Sequence, residues 1–179
     1  MWIGKSTAAG CMLAGFLIAG CSGTSPRDPH GAPRPTSAWR YDVEFESTWG
    51  HARGIAASDF SPSWSSAAAL DDDVLSKSVA APDAKEFLQS PLAFSVEADL
   101  DGDGRSEDIF VGVFSTDTGT TGRFVAVTRD GELLQHFEHP GTPGFSALLE
   151  EGDELHWYKC MQCGEFETLR WSGGAYVLD

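Results

Sequence analysis

"FVAVTRDGELLQHF", residues 124–137, decides the fold. Phe124–Val127 and Leu133–Phe137 are runs of strand-forming residues, and Asp130-Gly131 stands between them. A tight two-residue hairpin turn needs positive φ at both central positions, and Asp-Gly meets that need at little steric cost. An antiparallel hairpin is therefore expected here, and the pattern extends in both directions.

Upstream, Phe94, Val96 and Ala98 alternate with polar neighbours, which marks a half-buried strand. Ile109–Phe114 is apolar on both faces and suits a central strand. Downstream, Ser146–Leu149 and Leu155–Tyr158 flank Glu151-Gly152-Asp153, and Phe166–Trp171 and Tyr176–Leu178 flank Ser172-Gly173-Gly174. About eight short strands joined by tight turns predict a mainly β fold, an antiparallel meander. A sandwich, a partial barrel and a propeller-like fragment all satisfy this pattern. No second copy of the acidic loop described below occurs, which argues against a multi-blade propeller.

One or two short helices are expected before the meander, over Ala67–Leu75 and Pro82–Leu88, the second with Pro82 in its first turn. Tyr41, Val43 and Phe45 alternate with charges and predict a further strand. Trp49 and Trp64 read as core anchors, with an aromatic binding surface as the alternative. The organisation is thus a single globular domain over 39–179, with a mixed preamble at 39–91 and the β meander at 92–179.

The first 20 residues stand apart. "MWIGKSTAAGCMLAGFLIAG" has one lysine, then an apolar run, then small residues, the pattern of a secretory signal. The run is too short to span a bilayer comfortably. "GKST" at residues 4–7 lacks the upstream glycine of a phosphate loop. Leu17-Ile18-Ala19-Gly20-Cys21 resembles the lipobox of bacterial lipoproteins. That resemblance implies cleavage before Cys21, its acylation, and, with Ser22 rather than aspartate next, an outer-membrane address facing the periplasm. Several acyl chains at about 0.8 kcal/mol per buried methylene anchor a protein stably. Residues 21–38 hold four prolines and almost no large apolar group, so they read as an acylated cysteine followed by an extended tether.

"DLDGDGRSED", residues 99–108, sets five carboxylates against one arginine. Carboxylates held within about 5 Å of one another repel even at an effective dielectric near 20. Calcium takes six to eight oxygens, and acids at alternate positions of a tight loop supply them. Counting from Asp99, the acids fall at positions one, three and five (Asp101, Asp103), Gly104 permits the turn, and Arg105 at seven offers its carbonyl. Position twelve is Phe110, not the glutamate of a helix–loop–helix hand, and the flanks are strands. The stretch resembles the calcium loop of FG-GAP and VCBS-type β domains, D-x-D-G-D-G-x-x-D. That resemblance covers roughly residues 94–114 and implies Asp99, Asp101, Asp103 and a position-nine acid as side-chain ligands. Glu107 holds position nine and Asp108 follows it, so either acid completes the site. Calcium is the expected cofactor, as a staple and not a catalyst; the bland alternative is a solvated turn.

Once Cys21 is acylated, Cys160 and Cys163 remain besides Cys11 of the leader. An oxidising compartment favours a Cys160–Cys163 disulfide. A redox pair normally opens a helix, whereas here a strand precedes and another follows. Zinc needs two further ligands, for which His156, His136 and His139 are the candidates.

Formal net charge is −15, which repels nucleic acid phosphates and anionic headgroups and suits a cation or a basic protein partner. No hydrolase motif appears. The sequence therefore points to a non-enzymatic, calcium-stabilised envelope lipoprotein, a binding or structural module anchored to the membrane. One alternative is an inhibitor or immunity protein against a basic cell-wall hydrolase, by weak similarity to periplasmic lysozyme-inhibitor-like lipoproteins. The other is a redox protein using Cys160 and Cys163.

Overall fold

A computed structural model describes Arg40 and residues 43–152, 154–160 and 165–179. The expectations for the leader, the tether, Cys21 and the Cys160–Cys163 disulfide lie outside these residues or their described side chains. Among the described residues no helix is long and apolar enough to cross a membrane.

The elements run β1 (His51–Ala52), β2 (Ile55–Ala56), α1 (Ala57–Phe60), β3 (Trp64–Ala69), α2 (Asp72–Ser78), α3 (Ala81–Leu88), β4 (Ser95–Ala98), β5 (Glu107–Thr116), β6 (Thr121–Arg129), β7 (Glu132–Pro140), β8 (Ala147–Glu151), β9 (Glu154–Cys160), β10 (Glu165–Ser172) and β11 (Ala175–Leu178). The protein is mainly β and antiparallel, and among the described residues no barrel closes. β5 is central to the larger sheet. β4 pairs with its first half, from Ala98↔Glu107 to Ser95↔Phe110, and β3 with its second half, while β6 and β7 follow on the other side. β8 to β11 form a second sheet in strict sequence order. Ala93 and Leu148 exchange backbone hydrogen bonds of 2.9 and 2.8 Å and join the sheets at one edge.

The two-sided apolar run of β5 has a physical cause. Ile109, Val111 and Val113 share one core with Val125 and Val127 of β6, Leu148, Leu155, Trp157 and Leu169 of the second sheet, and Leu75 and Phe87 of the helices. Phe110 and Phe114 point the other way, into a smaller core with Phe124, Ile55, Phe60 and Trp64. Trp64 stacks on Phe114 at 4.3 Å, so it is the expected anchor. Trp49 is not: it is 63 % exposed. The Asp130-Gly131 turn forms as read, with φ of 53° and 83°.

Two expectations are corrected. The helix over Ala67–Leu75 begins only at Asp72, because Ala67–Ala69 belong to β3. Alanine favours helix, but here the free edge of β5 takes the segment, and Ala67 is fully buried against it. Asp71 then caps α2 by accepting a 2.7 Å bond from the Val74 N–H. Of the alternating stretch at 41–45, Tyr41 lies outside the described residues, and Val43–Phe45 make only the single Glu44↔Gly144 bridge, with Phe45 buried as its alternation implied. The eight strands expected in the meander are β4 to β11, and among the described residues the preamble adds the short β1 and β2 and the edge strand β3.

Candidate functional site

The acidic loop joins β4 to β5, and its own backbone explains its shape. Asp99 accepts from the Gly104 N–H at 2.9 Å, Asp101 from Asp103 at 3.0 Å, and Asp103 from Arg105 at 2.8 Å. Gly102 and Gly104 take φ of 73° and 87°, a region that disfavours side chains. The carboxylates are thereby turned inward over consecutive tight turns.

Glu107 is the first residue of β5 and is fully buried. It faces the larger core, in phase with Ile109. One of its oxygens accepts from the Leu100 N–H at 2.8 Å, and the other is bound by Arg129. One oxygen each from Asp99, Asp101 and Glu107 lie within 4.8 Å of one another. Asp108, one residue on, faces the opposite side of the sheet and forms a 2.7 Å ion pair with Arg53. The alternative left open at position nine thus has a geometric difference: Glu107 is in the cluster and Asp108 is outside it. Asp103 stands at the rim, holding Arg129 at 2.9 Å. The Arg105 side chain leaves the loop for Asp130, at 2.5 Å.

Arg129 is the residue the sequence reading missed. It ends β6 and reaches Asp101 at 2.8 Å as well as Asp103 and Glu107. These partners push the guanidinium pKa up, Glu107 before Asp101. The Arg129 hydrogen bond, outweighing a smaller burial effect, holds Asp101 below the usual carboxylate range. The centre of the loop is therefore not a bare negative cluster, but three carboxylates around one guanidinium, with Asp99 beside Asp101 and Glu107.

Tyr176 of β11 is the second missed residue. Its ring belongs to the larger core, and its hydroxyl is buried beside Glu107. Burial, then the charges of Glu107 and Asp101, push it up to about 12. A cleft of about 530 Å³ opens beside the loop, lined by Asp99, Asp101, Glu150, Glu154, Arg170 and Trp171. Trp171 is 37 % exposed and meets the Tyr176 ring at 4.8 Å.

The other candidates are dispersed. His156 is buried, bonds Glu154 at 3.0 Å and stacks on Phe166 at 4.1 Å. His136 lies edge-on to Trp64 at 5.4 Å, on the far side of the large sheet. Burial, then Lys159 and Arg123, hold His139 below its ordinary value. Cys160 ends β9 opposite Glu165 of β10, and Cys163 lies outside the described residues. No protein-family model matches the chain, and no curated protein or solved structure matches it.

Proposed function

We propose that the chain is a calcium-stabilised, non-catalytic lipoprotein of the bacterial cell envelope, anchored to the outer membrane through Cys21 and serving as a binding or structural module. The observation that carries the calcium reading is the triangle of oxygens from Asp99, Asp101 and Glu107 within 4.8 Å. Oxygens that share one calcium at about 2.3–2.6 Å lie at most about 5 Å apart. Four carboxylates against Arg129 leave negative charge that a divalent cation neutralises, and the energy gained is folding energy. The loop ties the edge strand to the central one, so a cation there fixes the start of β5.

Calcium titration of the full-length protein in detergent, with melting followed alongside, tests this. At 100 times its dissociation constant calcium adds about 2.7 kcal/mol, which for a domain of this size raises Tm by about 10 °C. Asp101→Ala with Asp103→Ala is expected to abolish that rise. An unchanged rise in the double variant rejects the ligand set. For the anchor, Cys21→Ser is expected to move the protein from the membrane fraction to the soluble one, and retention on membranes rejects acylation there.

The acidic cleft beside the loop favours a second reading, in which the module binds a basic partner, as an inhibitor or immunity protein against a cell-wall hydrolase would. A wall of carboxylates with a half-exposed tryptophan suits a guanidinium or ammonium group. Envelope pull-down that returns a basic glycan hydrolase supports it.

A further inference from the structure

Resting on the calcium reading above, we propose that Arg129 is the loop's internal competitor for that cation: guanidinium and calcium claim the same carboxylates, so the ion enters only as Arg129 leaves. Arg129 ends β6, and its side chain is only 14 % exposed. Its Nη2 lies 2.8 Å from Asp101 and also bonds Glu107, while Nη1 holds Asp103 at 2.9 Å. Asp101 and Glu107 are two of the three members of the oxygen triangle.

The hydrogen bonds give every oxygen of these two carboxylates a donor. Asp101 Oδ1 accepts from the Asp103 N–H, and Oδ2 from Arg129. Glu107 Oε2 accepts from the Leu100 N–H, and Oε1 from Arg129. The backbone donors are fixed by the fold of the loop, so the oxygens open to exchange are those that Arg129 holds. A calcium ion bound to Asp101 Oδ2 at about 2.3–2.6 Å stands within about 5 Å of the Nη2 nitrogen. Like charges that close repel, and burial weakens the screening. The way out leads over Asp103, which stands at the rim and outside the triangle. Arginine suits the holding role, because its planar fork spans three carboxylates where an ammonium is a single point. The loop thus carries its own counter-ion, and its apparent calcium affinity falls with the fraction of molecules in which Arg129 is in place.

Arg129→Gln removes the competing charge and keeps a polar side chain. Calorimetry with calcium chloride on the full-length protein in detergent is expected to show binding about tenfold or more tighter in the variant. In EDTA the variant is expected to melt below the parent, because its carboxylates have lost their counter-ion, and saturating calcium is expected to close that gap. Titration of calcium-loaded protein with a chelator of known affinity measures the variant even where it unfolds in EDTA. Equal or weaker calcium affinity in Arg129→Gln overturns the inference and leaves the calcium reading standing. Identical melting of the two proteins in EDTA also overturns it, because the guanidinium then does not hold the calcium-free loop. Uptake by Arg129→Gln alone supports the inference while rejecting calcium as the ligand of the unaltered protein. Uptake by neither overturns both.

Discussion

Glu107→Ala is expected to lower stability by about 2–3 kcal/mol in EDTA and to remove the response to calcium as well. The two losses have separate causes. Without calcium, Glu107 satisfies the Leu100 N–H and one contact of Arg129. Deleting it orphans that N–H, which costs about 1–3 kcal/mol. Arg129 keeps Asp101 and Asp103, so the full penalty of a broken buried pair is not incurred. Glu107→Gln separates the causes: its amide oxygen still accepts from Leu100, yet it brings no charge to a cation. It is expected to retain part of the EDTA stability and to lose the calcium-dependent rise. Asp108→Asn is the matched control. Its ion pair with Arg53 is partly exposed, and such pairs are worth about 0–1 kcal/mol. That variant is expected to keep the rise. If Asp108→Asn loses it and Glu107→Gln keeps it, the ligand at position nine has been assigned to the wrong face of β5.

The distribution of legible and illegible features follows from the range of the forces. Turns at Asp130-Gly131 and Ser172-Gly173-Gly174 are written locally, in residues that tolerate positive φ, and each sits where the sequence put it. The two-sided burial of Ile109–Phe114 was visible because no half-exposed strand is apolar on both faces. Ala67–Ala69 was misread because local propensity lost to an unpaired neighbour, which no local window contains. Arg129 was missed for the same reason, being 22 residues from Glu107. Yet the meander itself held the clue. A hairpin between β5 and β6 places the end of the second strand beside the start of the first, and Asp108 pairs with Thr128. An arginine at the end of β6 must then stand beside the acidic loop. Tyr176 had no such signal, because only the packing of one sheet on the other brings β11 to β5.

Gly112→Ala is expected to destabilise by about 3 kcal/mol, against the usual sign for such a change. In a strand, replacing glycine by alanine ordinarily gains about 0.5–1 kcal/mol, because the unfolded chain loses freedom. Gly112 pairs with Phe124 across the β5–β6 ladder, and Phe114 pairs with Gly122, so each ring lies over the glycine opposite. A Cβ on Gly112 falls 2.5 Å from Cε1 of Phe124 and 2.5 Å from the carbonyl oxygen of Ala68. The ring can tilt, but Phe124 is fully buried between Phe60, Trp64 and Phe110, so tilting it displaces others. The Ala68 oxygen cannot yield without moving β3 away from β5. Overpacking of a dense core costs about 1–3 kcal/mol, and a backbone obstacle puts this site at the upper end. Adding Phe124→Leu removes the ring and leaves the carbonyl, so the double variant is expected to recover only part of the loss. Denaturant unfolding in EDTA measures all three proteins free of any cation effect. A Gly112→Ala variant as stable as the parent means that β3 does not lie against β5 at this distance, and with it the placement of the Trp64 cap over the central strand is lost.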